Sequence, residues 1–188
     1  FFCAEQHPSY DQENTAIARQ TLKLLQQKHA NIPASALETG LQKKPYGRFW
    51  QLDPQITLDV AHNEDGLRRL FQQIQTKDLF TVCAFSQNQD TPTCMQIVKN
   101  NAANLAFFSS RHPRVLSLTE LNSRWEKLGF PPPPAADFTK LLTTKKRLLV
   151  CGSCYIIGKA VYALSTAARA LGLAPYKNIP DTLYYPIG

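Results

Sequence analysis

From Arg48 onward, short apolar runs alternate with longer amphipathic stretches, the pattern expected of repeated strand–helix units. The apolar runs predict strands at Phe49–Leu52, Ile56–Val60, Leu79–Phe85, Leu105–Ser109, Arg114–Leu116 and Arg147–Cys151. Between them the spacing predicts helices over Glu64–Gln75, Thr91–Asn100, Thr119–Leu128, Asp137–Leu142 and Tyr155–Leu171. The first of these is the best patterned: Leu67, Leu70, Phe71 and Ile74 recur at i, i+3, i+4 and i+7, while Arg68, Arg69 and Gln72 fall opposite. An open, mostly parallel α/β sheet of the Rossmann-like kind follows. Upstream, Asp11–His29 reads as one helix, with Ala18, Leu22 and Leu25 on one face and no Pro or Gly inside. The stretch 31–46 mixes turn formers with polar residues and reads as a linker or domain junction. The expected division is therefore 1–40, helix plus linker, and 41–188, the α/β domain.

Prolines refine this outline. Pro131 to Pro134 cannot continue a helix and lack amide donors, so they predict a stiff, extended connector. Ala174 to Gly188, with Pro175, Pro180, Pro186 and the tyrosines Tyr176, Tyr184 and Tyr185, reads as an extended tail packed on the surface. The chain of 188 residues suits one core with an appended element. It opens on Phe1 rather than Met, and a fragment or processed form is expected.

Charge changes the picture little. Twenty-one Lys and Arg against 14 Asp and Glu give +7 and a pI near 9.2. The cations gather only modestly, at Lys43-Lys44 through Arg48, at Arg68-Arg69 and at Lys145-Lys146-Arg147. Sheet-stacking aromatics in basic surroundings, as nucleic-acid modules use, are not evident, so nucleic acid is not an expected partner, whereas a nucleotide phosphate needs only one or two such side chains. Five cysteines, no secretory leader and no membrane-length apolar run point to a reducing, cytoplasmic setting with free thiols and no membrane. Cys151-Gly-Ser-Cys154 has CxxC spacing but neither a second Cys pair nor a nearby His, so no metal site is expected.

The candidate chemistry lies at a strand end. Leu58-Asp59 closes an apolar run with a carboxylate, and Ala61-His62-Asn63 then turns the chain into a helix. In open α/β sheets ligands bind at such carboxyl ends, where loops leave the sheet. Asp59 can accept hydrogen bonds from ribose hydroxyls, and Asn63 is a natural helix N-cap. His62 either binds a carboxylate or phosphate or is a solvated loop histidine. Ser153, after Gly152 at another strand end, is either a turn serine or a hydroxyl beside exposed amides. No GxxxxGK[ST] and no GxGxxG occurs.

Several passages together resemble a known family. Leu58-Asp-Val-Ala-His-Asn-Glu-Asp-Gly is similar to the LDGAHNP-type motif of folylpolyglutamate and dihydrofolate synthases, relatives of the Mur ligases. Pro45-Tyr-Gly-Arg48-Phe resembles the PGR turn before it, and His112-Pro-Arg-Val-Leu-Ser-Leu-Thr-Glu-Leu the later PR-containing passage. Leu148-Leu-Val-Cys-Gly-Ser-Cys-Tyr resembles the VxGSxY strand-loop, and Gln12-Glu-Asn14-Thr-Ala-Ile-Ala the ENAxxA helix. Two positions depart from the pattern: Val60 stands where the family has Gly, and Glu64 where it has Pro. Ser86-Gln87-Asn88-Gln89-Asp90 also lacks the Lys that relatives often carry beside the Asp.

The resemblance implies a Mur-ligase-type carboxyl-terminal domain preceded by the last helix of a central ATPase domain. It implies an ATP-dependent ligase that joins L-glutamate to dihydropteroate or reduced folate through an acyl phosphate. Carried over, Asn14, Arg48 and Asp59 would bind ATP, and His62 and Ser153 would place glutamate. Mg2+ ligands and the P-loop would belong to an amino-terminal part of the same polypeptide, so this chain alone is expected to hold no catalytic residue and to be inactive. A monomer is expected. The rival expectations are a Mur-type cell-wall amino-acid ligase domain and a non-catalytic Rossmann-like ligand-binding module.

Overall fold

A run of β-branched and apolar residues flanked by amphipathic segments can bury both faces only in the middle of a sheet, and the computed structural model is built that way. It describes residues 10–28, 32–43, 45–74, 78–87, 90–144, 146–177 and 179. The chain divides into two compact units, Phe1–Tyr46 and Gly47–Gly188.

The first unit is a helix pair, α1 (Tyr10–Lys28) and α2 (Ala34–Gln42). Helix α2 falls inside the stretch expected to be linker. Pro33 at its N-cap position halts the preceding chain, and Ala34, Ala36, Leu37 and Glu38 are good helix formers that outweigh Gly40 near the end. Leu37 supplies a buried anchor, and Arg19 of α1 pairs with Glu38 of α2.

The second unit holds five strands, β1 (Trp50–Asp53), β2 (Ile56–Leu58), β3 (Leu79–Cys83), β4 (Asn104–Phe107) and β5 (Arg147–Cys151). Their order is β1-β2-β5-β3-β4, with β1 antiparallel to β2 at one edge and the rest parallel. Alternation along β3 and β5 sorts side chains to two cores. Cys83, Leu149 and Cys151 face a core shared with α3 (Glu64–Gln73), α4 (Thr91–Asn101) and α5 (Leu118–Lys127). Val82, Leu148 and Val150 face a second core with α6 (Phe138–Thr143) and α7 (Ile157–Ala170). The expected α/β class, an open and mostly parallel Rossmann-like sheet between helices, is the one observed.

Two elements of this unit differ from expectation. Arg114–Leu116 is not a strand: Val115 forms a single antiparallel bridge to Ser86, and Leu116 N donates to Phe85 O at 2.9 Å. Its apolar pair is buried, but the segment crosses the sheet's carboxyl edge instead of extending it. The last helix starts at Ile157 rather than Tyr155, because a 3-10 turn over Cys154–Ile156 precedes it. The proline connector is neither helix nor strand, and its carbonyls are used: Pro131 O accepts from Trp125 Nε1 at 3.1 Å and Pro134 O from Phe107 N at 2.9 Å. Of the expected tail, residues 178 and 180–188 lie outside the described ones, Tyr184 and Tyr185 among them. Among the described residues no helix is long and apolar enough to cross a membrane.

Candidate functional site

The topology fixes where a site can form. Strand β5 lies between β2 and β3; the chain leaves β2 and β3 toward α3 and α4 on one face, but leaves β5 toward α7 on the other. Loops that part to opposite faces open a crevice at the carboxyl edge, the usual ligand position in such sheets.

At the β2 exit Asp59 continues the ladder, its N–H donating to Val150 O at 2.9 Å. The carboxylate is well used: Oδ1 accepts from Ala61 N at 2.7 Å and Oδ2 from Phe49 N at 2.7 Å. Arg48 is exposed in the turn just before β1, between Gly47 (φ +81) and Phe49 (φ +42). His62 is exposed, and its Nδ1 lies 3.0 Å from Val60 O. A carbonyl only accepts, so Nδ1 carries the proton and Nε2 is the acceptor of the neutral ring. Asn63 caps α3 as expected, Oδ1 accepting from Gly66 N at 2.8 Å. Glu64 and Asp65 occupy the first turn of α3 and pair with Arg68 and Arg69, each at 3.0 Å. That helix end is thus already complemented by carboxylates, and an anion here needs a cation from elsewhere.

At the β5 exit Gly152 has φ +103, and a Cβ there would lie 2.2 Å from Ala84 O. The bare backbone lets β5 and β3 close up, and Ser153 follows fully buried. Its Oγ accepts from Tyr155 N at 3.3 Å and lies 2.8 Å from Ser86 Oγ at the β3 exit. Further out, Arg114 donates to the Tyr155 hydroxyl at 2.6 Å, and the His112 ring stacks on Tyr155 at 4.3 Å and 16°. Ser86, His112, Arg114 and Tyr155 were not singled out from the sequence. The nearest signals were the PR and GSxY passages, but Arg114 and Tyr155 lie 41 positions apart and only the sheet brings them together.

Cys151 is buried and Cys154 exposed, and with Cys83 and Cys94 they are reduced thiols. Burial and the nearby Asp59 charge push the Cys151 thiol far up, and burial with Cys151 beside it raises Cys83. Among the described residues no three His, Cys, Asp or Glu side chains are placed to hold a metal ion. A cavity of about 180 Å³, lined by Phe49, Gln51, Gln55, Gln73 and Arg147 among others, opens beside the amino-terminal ends of β3 and β5.

The arrangement of strands, helices and loops matches solved structures. Escherichia coli FolC with ADP superposes with a TM-score of 0.63 over 85% of this chain and 40% of that one, at 20% identity. This is the fold of folylpolyglutamate synthase. Helicobacter pylori folylpolyglutamate synthetase gives 0.57 over 90% of this chain and 46% of that one, again at 20% identity. The Mycobacterium tuberculosis folylpolyglutamate synthase with ADP and AMPPCP gives 0.51 over 77% and 36%, also at 20%. No protein-family model matches the chain, and no curated protein matches it in sequence. The chain spans less than half the length of these folylpolyglutamate synthase structures.

Within the folylpolyglutamate synthase fold, the sequence-predicted residues fall into three places. Arg48, Asp59 and His62 gather around the β2 exit; Ser153 lies at the adjacent β5 exit with Ser86 beside it. Asn14 is exposed on α1 of the first unit.

Proposed function

We propose that this chain is the carboxyl-terminal part of an ATP-dependent carbon–nitrogen ligase of the folylpolyglutamate synthase/dihydrofolate synthase family, acting in the cytoplasm as a monomer. The reading is supported by the carboxyl ends of neighbouring strands, with a cation-bearing turn and a carboxylate at the β2 exit and two hydroxyls at the β3 and β5 exits, in a fold shared with ADP-bound ligases. Residues 1–40 are proposed to belong to the preceding ATPase domain and 41–188 to the closing domain.

The donor set fits a nucleotide. Arg48 offers an exposed guanidinium that can fork onto phosphate. The Asp59 carboxylate, which accepts from Phe49 N and Ala61 N, is a group type that also accepts from ribose hydroxyls. Asn14 is assigned to the adenine side. The Mg2+ ligands are assigned, with the P-loop, to the amino-terminal part.

ATP converts the pteroate or folate carboxylate into an acyl phosphate, a good acyl donor, and the glutamate amine then displaces phosphate. This chain's contribution is to hold the nucleotide and orient glutamate. His62 Nε2 can accept from the ammonium of the incoming amino acid, or, protonated, donate to a carboxylate. Ser153 is too buried to meet solvent, and its hydroxyl reaches the crevice through Ser86. Closure over the site would keep water from the acyl phosphate.

The test is in two steps. The reading frame upstream of Phe1 is expected to encode a GxxxxGK[ST] loop within roughly 300 residues. The full-length product should then release ADP only when glutamate and dihydropteroate or a folate are both present. A frame without that loop, or ADP release indifferent to glutamate, overturns the assignment.

A further inference from the structure

The turn that carries Arg48 is held in an unusual way. Phe49 is a bulky residue at φ +42, a left-handed conformation that costs a residue with a Cβ free energy. Gly47, on the other side, is at φ +81, and a Cβ there would come within 2.7 Å of Val60 Cγ1. Arg48 thus sits at the apex of a turn whose two shoulders are both left-handed. Such a shape persists only where neighbours enforce it.

The neighbours are the residues leaving β2. Val60 N donates to Gly47 O at 2.6 Å, and Asp59 Oδ2 accepts from Phe49 N at 2.7 Å. Asp59 Oδ1 accepts from Ala61 N at 2.7 Å, which anchors the carboxylate to its own loop. Immediately after, Trp50 pairs with Leu58 and the β1–β2 ladder takes over. A carboxylate suits this position because it offers acceptors on both sides; an amide offers one acceptor and turns a donor toward the other N–H. Bonds to an ionised acceptor are also the stronger kind. Val60, which stands where the resemblance has Gly, covers the Gly47 backbone and leaves no room for any other residue there.

We propose that Asp59 is a positioning residue: its carboxylate fastens the Gly47–Phe49 turn to the β2 exit and thereby presents Arg48 to the phosphates of a nucleotide. The need for such a device follows from α3. Its first turn carries Glu64 and Asp65, so its amino terminus does not serve as an anion cradle, and the charge must come from the turn opposite. Strain at Phe49 is the cost of aiming the guanidinium, and the Asp59 bonds hold it. This goes beyond a ribose contact, which would use Asp59 alone, and it rests on the nucleotide reading above.

Tripolyphosphate separates the two roles, since it has the phosphates but no ribose. The full-length product is titrated calorimetrically with ADP and with tripolyphosphate as wild type, Asp59→Asn, Asp59→Ala, Arg48→Ala and the Asp59→Ala/Arg48→Ala pair, with circular dichroism confirming the fold. Positioning predicts that Asp59→Asn weakens tripolyphosphate about fivefold or more, and that the double variant binds no worse than Arg48→Ala alone. Amide exchange at Phe49 should quicken about tenfold in Asp59→Asn. If Asp59→Asn weakens ADP but leaves tripolyphosphate unchanged, if the two losses add, or if Phe49 exchange is unmoved, Asp59 does not position Arg48. A full-length wild-type protein that binds neither ligand would instead bring down the nucleotide reading, and the positioning role with it. Because Asp59→Asn keeps the side chain's size, it decides the matter even if Asp59→Ala does not fold.

Discussion

Gly152→Ala tests whether the close approach of β3 and β5 is what builds the crevice. The methyl group would stand 2.2 Å from Ala84 O, whereas ordinary contact begins near 3.4 Å, so the two exits must part by about an ångström. The obstacle is backbone, and it is fastened: Ala84 N donates to Cys151 O at 3.1 Å, and Ser86 Oγ meets Ser153 Oγ at 2.8 Å just beyond. Backbone strain at φ +103 costs roughly 1–3 kcal/mol and each hydrogen bond disturbed about 1 kcal/mol, so a loss of about 3–5 kcal/mol is expected. At 2–4 °C per kcal/mol, Tm should fall by roughly 6–20 °C. Gly129→Ala is the internal control: its φ is +82, yet nothing lies within 4 Å of the added carbon, so only the conformational cost of roughly 1–2 kcal/mol applies. Urea unfolding followed by circular dichroism measures both, with equal m-values required for the comparison. If Gly152→Ala costs no more than Gly129→Ala, the contact with Ala84 does not hold the strand ends together.

Three further outcomes are expected. Ser117→Ala should remove the α5 capping box and destabilise the fold by about 0.5–2 kcal/mol in urea titrations at neutral pH. The Ser117 amide and then its hydroxyl hold the Glu120 carboxyl below its usual range, so their contribution is present above the ordinary glutamate pKa and lost as pH falls through the lowered one. The part of the gap between Ser117→Ala and wild type that comes from the hydroxyl–carboxylate bond should therefore be lost in acid, and a gap constant down to pH 2.5 would mean that the Ser117 hydroxyl does not hold the Glu120 carboxylate. Tyr176 is pushed up to about 12 by burial and then by Asp53, so absorbance titration should show it ionising after an ordinary tyrosine. Its neutral form is favoured in the fold, and that stabilisation is present below the ordinary tyrosine pKa and lost as pH rises through about 12; Tyr176→Phe should abolish the late step. Alkylation of the native protein should modify Cys154 well before Cys83, Cys94 or Cys151, which peptide mass mapping would show; equal rates would mean that the cores are open.

Sequence alone determined whatever depends on local periodicity and capping. The i, i+3, i+4, i+7 pattern at Leu67 to Ile74 placed α3, Asn63 was legible as its cap, and the continuous apolar runs at Leu79 and Arg147 marked strands buried on both faces. Asp59 and His62 could be put at a strand end, because an acid after an apolar run has nowhere else to go. What periodicity cannot report is strand order. That β5, the last strand in the chain, lies between β2 and β3 follows from nonlocal packing of two cores, and it alone sets Ser153 against Ser86 across 67 positions. Propensity likewise missed α2, where tertiary burial of Leu37 and the Arg19–Glu38 pair support a short helix among turn-forming residues. Arg114–Leu116 failed in the other direction: its apolar residues are buried, but its pairing is a single bridge to Ser86 and does not extend into a ladder. The role of Asp59 divides the same way. Its residue type and its place after β2 were written in the sequence, but that its carboxylate grips Phe49 ten positions back was decided by the fold, which alone brings the two ends of the β1–β2 hairpin together.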